Sequence, residues 1–266
     1  MEPHLSRNTG SSKRHVKLLG VRLNAMRESE VVEYVMTALR ARRGGWIITP
    51  NLDHVRRCRH DATFLAMLEE ADLVVADGMP LVWAARLQGT PLPERVTGSS
   101  LVETLARAAS CEGVRLFLLG GTPGAAENAA RELRRRYPTL QIAGWYCPPF
   151  GFEHNAEQMA ALHNALERTQ PDLVYVALGS PKQERLIQQL RNHFPQTWWI
   201  GVGISLSFLS GEIRRAPQWM QQFGLEWLHR LYQEPRRLFV RYVIVGIPFA
   251  MRLLFGASIA RFAAAR

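Results

Sequence analysis

Short apolar runs of strand length recur along the chain, at residues 16–23, 46–49, 73–76, 114–119, 140–144, 173–178 and 198–202. Between them lie segments whose apolar residues return every three or four positions, as at 100–111 and 125–137. Strands that are apolar throughout, without polar alternation, suit a sheet covered on both faces. Their alternation with helices predicts an α/β fold, a doubly wound and mostly parallel sheet with helices on both faces. Several helix starts are legible. Ser100 with Glu103 has capping-box spacing, and Thr122-Pro123 and Ser180-Pro181 read as N-cap and first helical residue. The last two each follow a strand and a glycine. Such turns leave backbone N–H groups at helix N-termini, where phosphate binds well.

After residue 210 the pattern changes. Ala216-Pro217 opens a helical run in which Phe223, Leu225, Trp227, Leu228, Leu231 and Tyr232 interleave with arginine. The apolar stretch that follows is broken by Gly246 and Pro248 and contains Arg252, so no 18-residue window is free of charge. In a spanning helix Arg252 would sit near mid-bilayer, at a cost of about 2.5–3.5 kcal/mol. An amphipathic segment lying in the membrane interface suits this pattern. A helix packed on the core, or a single span, is the alternative. The expected organisation is a disordered leader over 1–14, an α/β core over 15–210, and a basic amphipathic C-terminal helical appendage over 211–266.

Charge supports that division. Of the net +10, residues 201–266 carry +6, from nine arginines, no lysine and three glutamates. Arginine pairs bidentately with phosphate, so an anionic partner is implied there, either a membrane surface or nucleic acid. Nothing in the core resembles a nucleic-acid module, and no nucleic-acid partner is expected. The three cysteines, Cys58, Cys111 and Cys147, are scattered and fit no zinc spacing, so reduced thiols are expected. The first 14 residues lack the apolar core of a signal peptide.

Ligands of open α/β sheets bind outside the carboxyl ends of the strands. Chemistry-bearing residues collect at such positions here. Thr49 and Asn51 follow one strand, and Asp77-Gly78 ends another, with Arg95 close behind. Gly120-Gly121-Thr122 ends a third, Gly179-Ser180-Pro181-Lys182-Gln183-Glu184 follows a fourth, and Gly201 and Gly203 a fifth, with Arg215 soon after. Each has a local reading as well. Asp77-Gly78 is ordinary turn chemistry, Asn51 suits an N-cap, Gln183 completes an S-x-x-Q box, and Arg95 can pair with Glu94. Convergence on one sheet edge favours function. A dinucleotide fingerprint is absent, because Gly120–Gly124 lacks the G-x-G-x-x-G spacing and no acidic residue ends the following strand. No D-x-D pair is present to hold a metal against a diphosphate. No metal and no cofactor is expected.

The succession T-x-N, ADLVVADGMPLVWAARLQG, ERVTGSSL, LFLLGGTPG, LVYVALGSPKQE, GVG, SGEIRRAP and GLEWLHRLYQEPRR resembles the WecG/TagA/CpsF glycosyltransferases from about residue 16 to 242. The resemblance implies an inverting, metal-independent enzyme on the cytoplasmic face of the membrane. It would move N-acetylmannosamine, its uronic acid or another hexose from a UDP-sugar to a polyprenyl-diphosphate-linked sugar in cell-surface polysaccharide synthesis. It implies Asp77 as general base, with Thr49, Asn51, Arg95 and Gln183 as further cleft residues. It also places Arg230, Arg237 and, more loosely, Arg241 in an appendage that closes over the site and meets the membrane. Some members are oligomeric, so a homo-oligomer is admitted. In one departure, Ser207 stands where the family has an aspartate near the nucleotide. That keeps a non-catalytic UDP-sugar-binding scaffold as an alternative.

Overall fold

The computed structural model describes residues 14–264; the leader, apart from Arg14, lies outside the described residues. Strands β1 (His15–Leu18) and β2 (Val21–Asn24) form an antiparallel hairpin. The remaining strands are β3 (Gly45–Ile48), β4 (Leu73–Val74), β5 (Arg115–Gly120), β6 (Gln141–Tyr146), β7 (Leu173–Ala177) and β8 (Trp198–Gly201). They form one parallel sheet in the order β4-β3-β8-β7-β5-β6. The helices between them are α1 (Glu28–Arg40), α2 (Leu52–Cys58), α3 (Ala62–Glu70), α4 (Met79–Gln88) and α5 (Gly98–Glu112). Then come α6 (Ala125–Arg136), α7 (Ala156–Thr169), α8 (Lys182–Leu190) and α9 (Ser205–Leu209). The C-terminal part holds α10 (Gln218–Gln222), α11 (Glu226–Gln233), α12 (Pro235–Phe239) and α13 (Ile247–Ala264).

The sheet is covered on both faces, as continuous apolar strands require. On one face α1, α5, α6 and α9 pack on Ile47, Leu73, Leu116, Tyr175 and Trp198. On the other, the hairpin and α2, α3, α4, α7 and α8 pack on Trp46, Val74, Phe117, Val176 and Trp199. Trp46, Trp198 and Trp199 are wholly buried, so the adjacent interior strands β3 and β8 carry much of the core.

Local expectations need four corrections. Residues 16–23 are a hairpin, because Leu19 and Gly20 adopt positive φ and reverse the chain. The cap of α5 is Thr97, whose hydroxyl accepts from the Ser100 amide at 3.0 Å, while Glu103 pairs instead with Arg136. Helix α6 is capped by Gly124 rather than Thr122, whose hydroxyl binds Glu212. Helix α8 begins at Lys182, after a cis Ser180–Pro181 bond.

Gly246 and Pro248 do not interrupt the C-terminal helix. A π-helical turn (Val240–Gly246) joins α12 to α13 in one helix, Pro235–Phe262, long and apolar enough to cross a membrane. The π turn widens the backbone just ahead of Pro248, which has no N–H to give and would crowd the carbonyl four residues back. One face of α13 packs on α4 through Phe249, Leu253 and Ala257. Its outward face exposes Ile247, Met251, Phe255, Ile259 and Phe262, continuing a stripe from Val240 and Ile244.

Candidate functional site

The ends of β3, β4 and β8 open into a cavity of about 450 Å³, roofed by α11 and α13. Asp77 stands on its floor. The chain passes from β4 through buried Val75 and Ala76, and the Asp77 amide donates to the Pro50 carbonyl at 2.9 Å, tying two strand ends together. Gly78 follows with φ near +150°, a conformation that suits glycine, and caps the start of α4, leaving Asp77 in the cavity lining. Asp77 Oδ2 accepts a hydrogen bond from the Gly98 amide at 3.3 Å.

Burial raises the Asp77 carboxyl from 3.8 to about 6, even though Arg95, the Gly98 amide and Arg215 favour its charged form; Glu226 pushes it up further. A carboxyl poised there changes protonation close to neutral pH, as a general base must. Arg95 is partly buried beside it. One of its Nη atoms donates to the Gln221 carbonyl at 2.8 Å, and the other lies 3.6 Å from Glu226. The expected Glu94 pairing does not form, because Glu94 accepts from the Glu28 amide on α1.

Asn51 caps α2, its side-chain oxygen accepting from the amides of Asp53 and His54, and it also faces the cavity. The local and the functional readings therefore hold together. In return, the Asn51 backbone amide donates to His54 Nδ1 at 3.0 Å. Burial drops the His54 imidazole to about 4, so it is neutral at pH 7. Gln183 is not a local cap. Its oxygen accepts from the Gly203 amide at 3.1 Å and its nitrogen donates to Glu184 at 2.9 Å, so the amide is clamped across the β8 loop. Gly201 permits this, since a Cβ there would lie 2.4 Å from Gln183 Nε2.

Thr49, Asn51, Asp77, Gly78, Arg95, Gln183, Gly201, Gly203, Arg230 and Arg241 thus share one cavity. Two guanidinium donors in it, Arg230 Nε and Arg241 Nε, are buried without a hydrogen-bond partner. Arg241 also pairs with Asp53 at 3.2 Å. Burial opposes ionisation of Asp53, but Arg241 and Arg56 more than offset it and lower its carboxyl below the ordinary value.

The other expected positions lie outside this lining. Gly120, Gly121 and Thr122 lie at the end of β5, where a Cβ at Gly120 would fall 2.7 Å from the Ala177 carbonyl oxygen. Gly179, Ser180 and Pro181 form the turn into α8. Lys182 is drawn away by Glu153 at 2.7 Å and by the rings of Phe150 and Phe152. Glu184 is buried under Gln183, and burial raises its carboxyl. Ser207 is buried in α9. Arg215 borders a smaller neighbouring cavity of about 170 Å³, and Arg237 pairs with Glu234 along its own helix.

Sequence reasoning missed Glu226, Trp227 and the apolar wall formed by Met79, Trp83, Ile247, Met251 and Leu254. Glu226 was visible only as an acid within a basic segment. Among the described residues, no three His, Cys, Asp or Glu side chains group to hold a metal ion.

Comparison with known proteins bears on this geometry. A family model described as the glycosyl transferase WecG/TagA/CpsF family matches residues 16–261. An N-acetylglucosaminyldiphosphoundecaprenol N-acetyl-beta-D-mannosaminyltransferase of Bacillus spizizenii is 31% identical over 214 residues, covering 79% of this chain and 81% of the relative. A protein of the same description from Bacillus subtilis is 30% identical over 194 residues, covering 73% of each.

Proposed function

The chain belongs to the glycosyl transferase WecG/TagA/CpsF family, and from that premise we propose that it transfers a sugar from a UDP-sugar to a polyprenyl-diphosphate-linked acceptor, with inversion and without a metal ion. N-acetylmannosamine and an N-acetylglucosamine-bearing undecaprenyl diphosphate, named for the relatives, are the first donor sugar and acceptor to try. The observation that carries the reading is Asp77, a carboxyl raised to about 6 in a cavity whose other fixed charges are largely guanidinium groups.

Asp77 takes the proton from an acceptor hydroxyl as that oxygen attacks the anomeric carbon. The bond from that carbon to the diphosphate oxygen breaks, and UDP departs with the electron pair. A positioned base typically contributes about 10²–10⁴-fold. The charge gathering on the leaving diphosphate meets Arg95, Arg230 and Arg241, donors already fixed in a low-dielectric cleft. Thr49, Asn51 and Gln183 orient the sugars, and the clamped Gln183 amide loses little freedom in doing so.

The lipid side of the acceptor leaves across Met79, Trp83, Ile247, Met251 and Leu254, towards the outward apolar stripe of α13. In this reading that stripe, with the arginines of the C-terminal segment, rests on the anionic inner face of the cell membrane. The test is transfer of radiolabel from a panel of UDP-sugars, UDP-N-acetylmannosamine first, to N-acetylglucosaminyl-diphosphoundecaprenol with and without chelator. Labelled lipid formed equally in both is expected. No labelled lipid from any donor overturns the reading, and loss of product with chelator overturns its metal independence.

A further inference from the structure

Glu226 is the one acidic residue that the C-terminal segment turns into the cavity. It opens α11, and its carboxylate is largely buried. Oε2 lies 3.6 Å from Arg95 Nη1, and Oε1 lies 3.5 Å from Arg215 Nε. The two arginines come from different parts of the chain, Arg95 from the loop before α5 and Arg215 from the loop before α10. Arg95 is further fixed by the Gln221 carbonyl, also in the C-terminal segment. The segment therefore reaches the catalytic floor through one carboxylate shared between two cations.

A buried carboxylate is costly unless it is paired, and Glu226 meets that cost by pairing with two arginines at once. We propose that Glu226 is a positioning residue for the transfer reaction: it holds Arg95 in the cleft, ties it to Arg215 behind, and sets the electrostatic environment in which Asp77 works. The inference rests on the glycosyltransferase reading for its role, but its physical content does not need a substrate. The groups facing Asp77 are Arg95 and the Gly98 amide from the loop into α5, Arg215 from the loop before α10, and Glu226 from α11. Asp53, His54, Arg56, Arg230, Arg241 and Tyr242 complete the charged or titratable lining of the cavity. Of these, only Glu226 is an acid opposing ionisation of Asp77. Removing its charge leaves Arg95 and Arg215 unneutralised, so both consequences favour the Asp77 carboxylate.

The full chain in detergent micelles, labelled with ¹³C at aspartate Cγ, allows direct titration of Asp77, its signal identified by its loss in Asp77→Asn. In Glu226→Gln the midpoint is expected to fall from about 6, by about half a unit or more at the effective dielectric of a partly buried pair. Glu226→Ala must show the same fall, and it carries the measurement if the glutamine variant does not melt cooperatively. Glu226→Asp, which keeps the charge, should restore most of the original midpoint. The acid limb of kcat/KM should move with the titration, which a merely structural glutamate would not cause. An unmoved or raised midpoint in a folded, uncharged variant overturns the inference. A wild-type protein inert with every donor sinks the transferase reading, while the titration still decides the electrostatic point.

Discussion

At the scale of single residues, Asp77 combines two costs that point in opposite directions. Burial makes its charge unfavourable for folding, while the proposed chemistry needs that charge. In the unfolded chain its carboxyl has the ordinary value of 3.8, and in the fold it is raised to about 6. Its contribution to stability is thus fully present below pH 3.8 and is lost as pH rises through 6. Asparagine cannot ionise, so Asp77→Asn should melt higher than wild type at pH 8, by about 1–3 kcal/mol, with little difference at pH 3.8. Turnover should drop by about 10²–10⁴-fold in the same variant. Thermal melts at the two pH values and a single-turnover assay check both. An unchanged melt at pH 8 would mean that burial does not burden this carboxyl, and near-wild-type turnover would remove Asp77 from the base role. Asp77, Thr49, Asn51 and Gln183 were legible because each follows a strand end, where a parallel sheet gathers its ligands, and Arg95 because it comes close behind Asp77. Glu226 was not, since nothing in a linear pattern tells an inward acid on α11 from a solvated one.

At the scale of elements, α13 has two apolar faces with different duties. Leu253 is buried against α4, so Leu253→Ala should cost about 2–5 kcal/mol. Phe255 and Ile259 point outward and lie outside the cavity. The double variant Phe255→Ser/Ile259→Ser should leave the melting temperature unchanged. It should weaken sedimentation with anionic vesicles by about 10²–10⁴-fold, given roughly 1.5–3 kcal/mol for each large apolar side chain fully removed from water. Equal vesicle binding by the two forms would place the membrane contact elsewhere. The sequence pattern shows why this duality was hard to read. Residues apolar on both sides of a helix look the same whether one side meets protein or both do. Helix starts were misread for a related reason. Ser100-x-x-Glu103 has the spacing of a capping box, but Thr97 reaches the Ser100 amide first and Glu103 is recruited by Arg136.

At the scale of the whole molecule, the parallel sheet followed from the alternation of apolar runs with helices, whereas the strand order and the return of α13 to the core did not, because both depend on contacts far apart in sequence. That return changes what truncation should do. Phe249, Leu253 and Ala257 share a core with Leu81, Ala84 and Ala85 of α4, so the C-terminal segment is packed into the domain it follows. Two cuts separate its proposed roles. A chain ending at Gln233 keeps Glu226 and Arg230 but loses the outward stripe and Arg241. It should melt lower than the full chain, through exposure of the α4 face, and fail to sediment with vesicles. UDP should still raise its melting temperature, by mass action on the folded state. A chain ending at Ser210 also loses Arg215, Glu226 and Arg230, and with them the ion pair that holds Arg95. There the UDP-dependent shift should shrink or vanish. If the chain ending at Gln233 still binds vesicles as the full chain does, the stripe on α13 is not what rests on the lipid. If the chain ending at Ser210 retains the full UDP shift, the diphosphate is held by the sheet edge alone, and the guanidinium groups beyond residue 210 play no part in holding it.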